Sequence, residues 1–158
     1  MTRDNNQVGL AQVIVQKGIT WYPKDRDPVT IVGDSAWKDY DVEATIELPD
    51  RGYTSIYGRV GTFDLKPVPF PSYWVKCYAN GTWEIGKLGT VLTKGVFTGA
   101  AKSTHVLRLC LKGSTISAEL DGSTLGSVKD TSYRQGMAGI GCSLNRAVFD
   151  DFKVVPVD

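Results

Sequence analysis

Apolar and polar residues alternate along most of this chain. In "VEATIEL" Val42, Ala44, Ile46 and Leu48 interleave with Glu43, Thr45 and Glu47. In "VLRLCLK" Leu107, Leu109 and Leu111 do the same, and in "STISAEL" Ile116, Ala118 and Leu120 follow. Period two places each apolar set on one face of an extended strand and leaves the other face wet. With "VTIVGD", "TSIYGRV", "SYWVKCYANGTWEIGKL", "GMAGIGC" and "VFDDFKVV", the pattern predicts roughly ten short strands. "KGS", Asn80-Gly81 and Asp121-Gly122 supply tight hairpin connections. No window of about a dozen residues carries a helical stripe. The stretch "GTFDLKPVPFPS", residues 61 to 72, holds three prolines, which forbid central-strand pairing and predict an irregular loop. No repeat, linker or shift of composition marks a boundary. Residues 1–158 therefore read as a single all-β domain, two antiparallel sheets packed face to face as a sandwich of the jelly-roll kind.

One residue breaks the pattern. In "AVFDDFKVVPVD", strict alternation puts Asp150 on the same side as Val148, Phe152 and Val154. An ionised carboxylate on an apolar face is costly unless it meets a cation or takes up a proton. Two partners come into question: a metal ion, or a basic side chain such as Arg59. A second acidic feature bears on the choice. "PKDRDPV" sets Asp25 and Asp27 two apart just before a strand, and an Asp-x-Asp in a loop can converge two hard oxygen ligands on one cation. The loop is no EF-hand, since position six is not glycine and position twelve, Ala36, is not glutamate. Its plain alternative is a solvated turn.

Composition narrows the class without choosing a function. The net charge is +1, with 18 basic and 17 acidic residues scattered along the chain. No basic block points to nucleic acid or an anionic membrane surface. No apolar run approaches the roughly 20 residues of a membrane-spanning helix. The start, "MTRDNNQVGLAQ", has no apolar h-region and does not read as a signal peptide, which fits either a cytoplasmic chain or a module of a longer secreted one. Cys77, Cys110 and Cys142 lie within strand-like runs at a spacing that suits neither a zinc site nor a disulfide framework, so free thiols are expected. "NGT" at Asn80 matches the glycosylation sequon.

Catalytic constellations are missing. G-x-S-x-G, the P-loop and H-E-x-x-H do not occur. The single histidine, His105, stands at a strand entrance with no nucleophile motif beside it and is expected to be a solvated loop residue. Glu43 and Glu47 share a face with Thr45 between them, which reads as a wet sheet face rather than an acid and nucleophile pair.

The order of the segments adds a resemblance. "GITW", "VTIVGDSAW", "VEATIELPDRG", "IYGRV", "YANGTWEIG", "LRLCLKG", "AGIG" and "VFDDFKV" run in the order and at the spacing of the carboxy-terminal lectin-like domain of the galactocerebrosidase (galactosylceramidase) family, over about residues 18–154. The resemblance implies a concanavalin-A-like or laminin-G-like sandwich without catalytic residues, because that family's catalytic glutamates sit on a separate barrel. It also implies a structural Ca²⁺, held by Asp150 of the final "F-D-x-F" motif with Asp25 and Asp27 from the early loop, and a main-chain carbonyl near Ser55. The setting it implies is lysosomal or secreted, as part of a larger protein.

The function that follows is a non-catalytic, carbohydrate-binding accessory module for a galactose-containing glycan or glycolipid head group, beside a partner catalytic domain. Phe70, Tyr73 and Trp74 are the candidate aromatic platform for a sugar. The proline-rich loop departs from the family's pocket-lining loop. An interaction or docking domain of the laminin-G kind, binding no sugar, is the alternative.

Overall fold

The computed structural model describes the backbone of residues 12–15, 29–61, 71–143 and 146–157. Among these residues there are twelve strands and no helix. One six-stranded antiparallel sheet is ordered β1 (Gln12–Val15), β12 (Arg146–Pro156), β3 (Tyr40–Glu47), β8 (Thr104–Lys112), β9 (Thr115–Leu120) and β10 (Ser123–Lys129). The other is ordered β2 (Val29–Val32), β11 (Met137–Cys142), β4 (Tyr53–Val60), β5 (Tyr73–Tyr78), β6 (Thr82–Lys87) and β7 (Thr90–Val96). This is the expected sandwich.

The alternating residues fill the space between the sheets. Val42, Ala44, Leu107, Leu109, Leu111 and Ile116 from one sheet meet Ile56, Val75, Cys77, Ile85 and Ile140 from the other, all at most 2% exposed. Burial of such side chains contributes roughly 1.5–3 kcal/mol each and carries the fold. Registers follow the pattern: Val42 faces Leu109 and Ala44 faces Leu107 across β3 and β8. The sequence pattern misses β7. That edge strand is exposed along much of its length, Val96 to 79%, so it has no buried face to impose alternation.

Two strands depart from strict alternation. In β4 every residue from Tyr53 to Val60 is buried, so both of its faces are covered. In β12 the register slips between Asp150 and Lys153, where a β-bulge places Asp151 at φ 49°. Phe149 is fully buried before the bulge, and Phe152 and Val154 are buried after it. The inward set thus changes from odd to even numbers at this point.

Candidate functional site

The bulge removes the difficulty that Asp150 posed. Asp150 does not share the apolar face; its side chain is exposed and its Oδ1 accepts the Asp151 N–H at 2.8 Å. The Arg59 alternative fails as well, because Arg59 pairs with Asp39. Asp25 and Asp27 lie outside the described residues. Among the described residues no group of three His, Cys, Asp or Glu side chains is placed to hold a metal. An outward carboxylate with one oxygen engaged by its neighbour suits a cation ligand, but Ca²⁺ needs six to eight oxygens and others would have to come from elsewhere. Ser55 is fully buried, and its hydroxyl, like that of Thr54, has no hydrogen-bond partner among the described residues.

The three aromatic candidates separate. Phe70 lies outside the described residues. Tyr73 points inward and is fully buried, which corrects its reading as part of a surface platform. Its hydroxyl donates to Asp130 Oδ1 at 2.6 Å and accepts the Tyr133 N–H at 3.2 Å. Burial and the Asp130 carboxylate push that hydroxyl's pKa up to about 12. Trp74 lies on the opposite, outer face and is half-buried. The Lys76 ammonium sits 4.3 Å from the Trp74 ring and 4.4 Å from the Tyr53 ring, so a cation is held between two aromatic faces. Gly86 lets the indole lie close to β6: a Cβ there would come within 2.3 Å of the ring. An aromatic ring beside a positive donor can hold the apolar face and a hydroxyl of a sugar.

His105 is not a solvated loop residue. Its side chain is 15% exposed, with Nδ1 2.5 Å from Asp121 Oδ2 and Nε2 2.7 Å from Ser103 Oγ. This has the outline of a nucleophile, a base and an orienting acid. The Ser103 hydroxyl, however, has the Ala100 carbonyl at 2.6 Å as an acceptor for its one proton, which competes with any role for that proton at the ring. The trio works as a clamp on the β8–β9 end. Glu43 is likewise more than a wet residue. It sits between Arg108 (2.6 Å) and Lys153 (3.1 Å), and these cations outweigh the effect of burial and hold its carboxyl below the usual range. A carboxyl so held is a poor proton donor. None of the three cysteines forms a disulfide, and burial pushes the Cys77 and Cys110 thiols up to about 12.

One polar cluster has no counterpart in the sequence reading. Arg59 is 2% exposed and sits on a bulge of β4 at φ 50°. Its guanidinium donates to the carbonyls of Lys38 (2.8 Å), Gly113 (2.8 Å) and Tyr133 (3.1 Å) and to Asp39 Oδ1 (3.0 Å). The backbone N–H of Arg59 donates to the buried Tyr40 hydroxyl at 2.6 Å. Three separate loops are thus tied to one cation. Gly136 passes so close that a Cβ would fall 2.4 Å from the Arg59 carbonyl carbon. Beside the cluster, Asp130 accepts from Tyr73, from the Ser132 N–H and from Lys87, whose ammonium is 2.8 Å away. Burial would raise this carboxyl, but Lys87, Tyr73 and Ser132 together hold it far below the usual carboxylate range. The one sequence signal was an arginine inside the apolar run "IYGRV", which alternation alone places on the outside.

The family model of the galactocerebrosidase C-terminal lectin domain matches residues 1–157. The chain belongs to that family. This lectin domain is 32% identical over 154 residues to the galactocerebrosidase of Canis lupus familiaris, covering 92% of the chain and 23% of the relative. The Homo sapiens protein is 30% identical, covering 92% and 22%. The chain therefore spans about a quarter of the length of the curated relatives it matches. Among solved structures, the carbohydrate binding module CBM66 from Bacillus subtilis superposes with a TM-score of 0.67 at 17% identity, over 82% of this chain and 83% of that one. The Caenorhabditis elegans galectin LEC-6 gives 0.55 at 11% identity, over 84% and 92%. At such identities these two likenesses speak for the fold of the lectin domain alone.

Proposed function

We propose that this lectin domain is a carbohydrate-binding accessory module of a galactosidase-type glycoside hydrolase, without catalytic activity of its own. Its ligand class is a galactose-containing glycan or glycolipid head group, presented to a partner catalytic domain. The observation that carries the reading is the half-buried Trp74 ring on the outer sheet face, with Lys76 against it. The sandwich it shares with a carbohydrate binding module and a galectin supports the class. Ca²⁺ has a structural part in the same reading, with Asp150, Asp25 and Asp27 as its ligands; the outward Asp150 carboxylate is consistent with that role.

The test is a glycan array on the chain, with Trp74→Ala beside it. Galactose-terminated glycans should bind, and the variant should lose about tenfold, since stacking on one aromatic ring is worth roughly 0.5–1.5 kcal/mol beyond its buried area. Binding of no glycan, with capture of a protein partner instead, would favour the docking alternative.

A further inference from the structure

The Arg59 cluster floors an open cleft of about 280 Å³ at one end of the sandwich. Its walls come from Lys38 and Asp39 before β3, Gly113 and Ser114 between β8 and β9, and Tyr133 and Arg134 after β10. Pockets for small molecules run from about 300 Å³ upward, so this one suits a single sugar-sized ring. We propose that the cleft is a subsite for one acidic sugar residue, a ring bearing a carboxylate or a sulfate. The inference rests on the carbohydrate-binding reading and names a second place on the domain, apart from Trp74.

Four features support it. Asp39 is held by Arg59 and by the Gly113 N–H, both on Oδ1, while its side chain is 40% exposed. Its Oδ2 is therefore a fixed acceptor for sugar hydroxyls. The Arg59 charge offsets that of Asp39, so the acceptor does not by itself repel an anion. Lys38 and Arg134 are exposed at the rim and have no ion-pair partner among the described residues, whereas Asp130 is matched by Lys87. Among the described residues, the uncompensated charge at the mouth is positive. Finally, Tyr133 gives an aromatic wall, its ring set edge-on against Tyr73 at 5.1 Å. Arg59 and Asp39 at the floor are placed by hydrogen bonds already made in the protein, so little ordering of these two groups is required on binding.

The experiment titrates the chain with glucuronic acid against glucose, and with galactose 6-sulfate against galactose, following amide shifts by NMR. At least one acidic sugar should shift the Gly113 amide and bind about tenfold more tightly than its neutral counterpart; which of the two does so identifies the anion. Lys38→Ala combined with Arg134→Ala removes two exposed side chains and leaves the fold intact. It should abolish that preference, as should salt at about 1 M. Trp74→Ala should leave it unchanged. Equal binding of acidic and neutral sugars, or an acidic preference that survives the double variant, overturns the subsite. If the array then still shows Trp74-dependent glycans, the subsite alone is wrong. If no sugar binds anywhere, the carbohydrate reading is wrong with it.

Discussion

The two charged bulges of this sandwich do opposite things. On β4 the bulge turns Arg59 into the protein, where a guanidinium at 2% exposure collects three carbonyls and a carboxylate. On β12 the bulge turns Asp150 and Asp151 out into solvent, so that Phe149 and Phe152 can both be buried. Each holds a non-glycine residue at nearly the same left-handed φ, 50° and 49°. The backbone device is the same, and the surroundings decide whether it carries a charge in or takes one out. A left-handed residue costs roughly 1–2 kcal/mol. At Arg59 the hydrogen bonds made inside offset that cost; at Asp151 the burial of Phe152 does so.

The largest effect should come from breaking the inward case. Arg59→Met leaves three loop carbonyls without their buried donor, and each acceptor so stranded costs about 1–3 kcal/mol, so a loss of roughly 3–5 kcal/mol is expected, with little from the half-exposed Asp39. For a chain of this size that is a fall in Tm of roughly 10 °C, read by thermal or urea unfolding. A loss under about 1 kcal/mol would mean that water satisfies the cluster and that the two bulges are energetically alike.

An intermediate effect should come from the outward case if Asp150 ligates Ca²⁺. At about ten times Kd, linkage gives about 1.4 kcal/mol, or a rise in Tm of about 3–6 °C. EDTA should remove it, Mg²⁺ should not restore it, and Asp150→Asn should abolish most of the response. A melting curve that ignores the chelator leaves Asp150 as a solvated bulge residue without a metal.

The smallest effect sharpens the contrast at constant backbone geometry. Asp151→Gly relieves a left-handed aspartate, and the change should be neutral or stabilising by up to about 1 kcal/mol. Arg59→Gly, at the same φ, should destabilise strongly, because its side chain and not its backbone is what the site needs. Similar losses in both variants would show that φ alone sets the cost.

These bulges also explain what could be read in advance. The core of β3, β8 and β9 was legible because Val42, Leu109 and Ile116 alternate with polar residues without interruption, and a half-buried strand has no other way to bury them. Asp150 was misplaced because a bulge adds one residue without leaving a mark in local composition: "VFDDFKV" scans as a regular strand. His105 and Asp121 meet across a hairpin, so their contact is set by register and not by spacing along the chain, whereas Ser103 is a near neighbour of His105 in sequence. Asp39, just before β3, and Arg59, on β4 of the other sheet, lie 20 residues apart, and only the packing of the sandwich brings them together. The acidic pair in "KDRD" falls outside the described residues, so its part is carried by the calcium proposal.

The carboxylates of this domain bear on how it endures acid. Asp130, Glu43 and Asp121 are each held below the ordinary range, although burial alone would raise them, because Lys87 and Tyr73, Arg108 and Lys153, and His105 and Val106 outweigh it. A carboxyl whose pKa is lowered on folding lends stability that is complete above its unfolded value of about 4 and fades only as pH falls toward the folded one. In mildly acidic surroundings all three therefore remain ionised and bonded. Asp130 fastens the loop after β10 to β5 and β6, and through Tyr73 it reaches the wall of the Arg59 cleft. These three contacts should therefore outlast a mild fall in pH, whereas the carboxyl of Asp41, raised by burial, takes up its proton earlier.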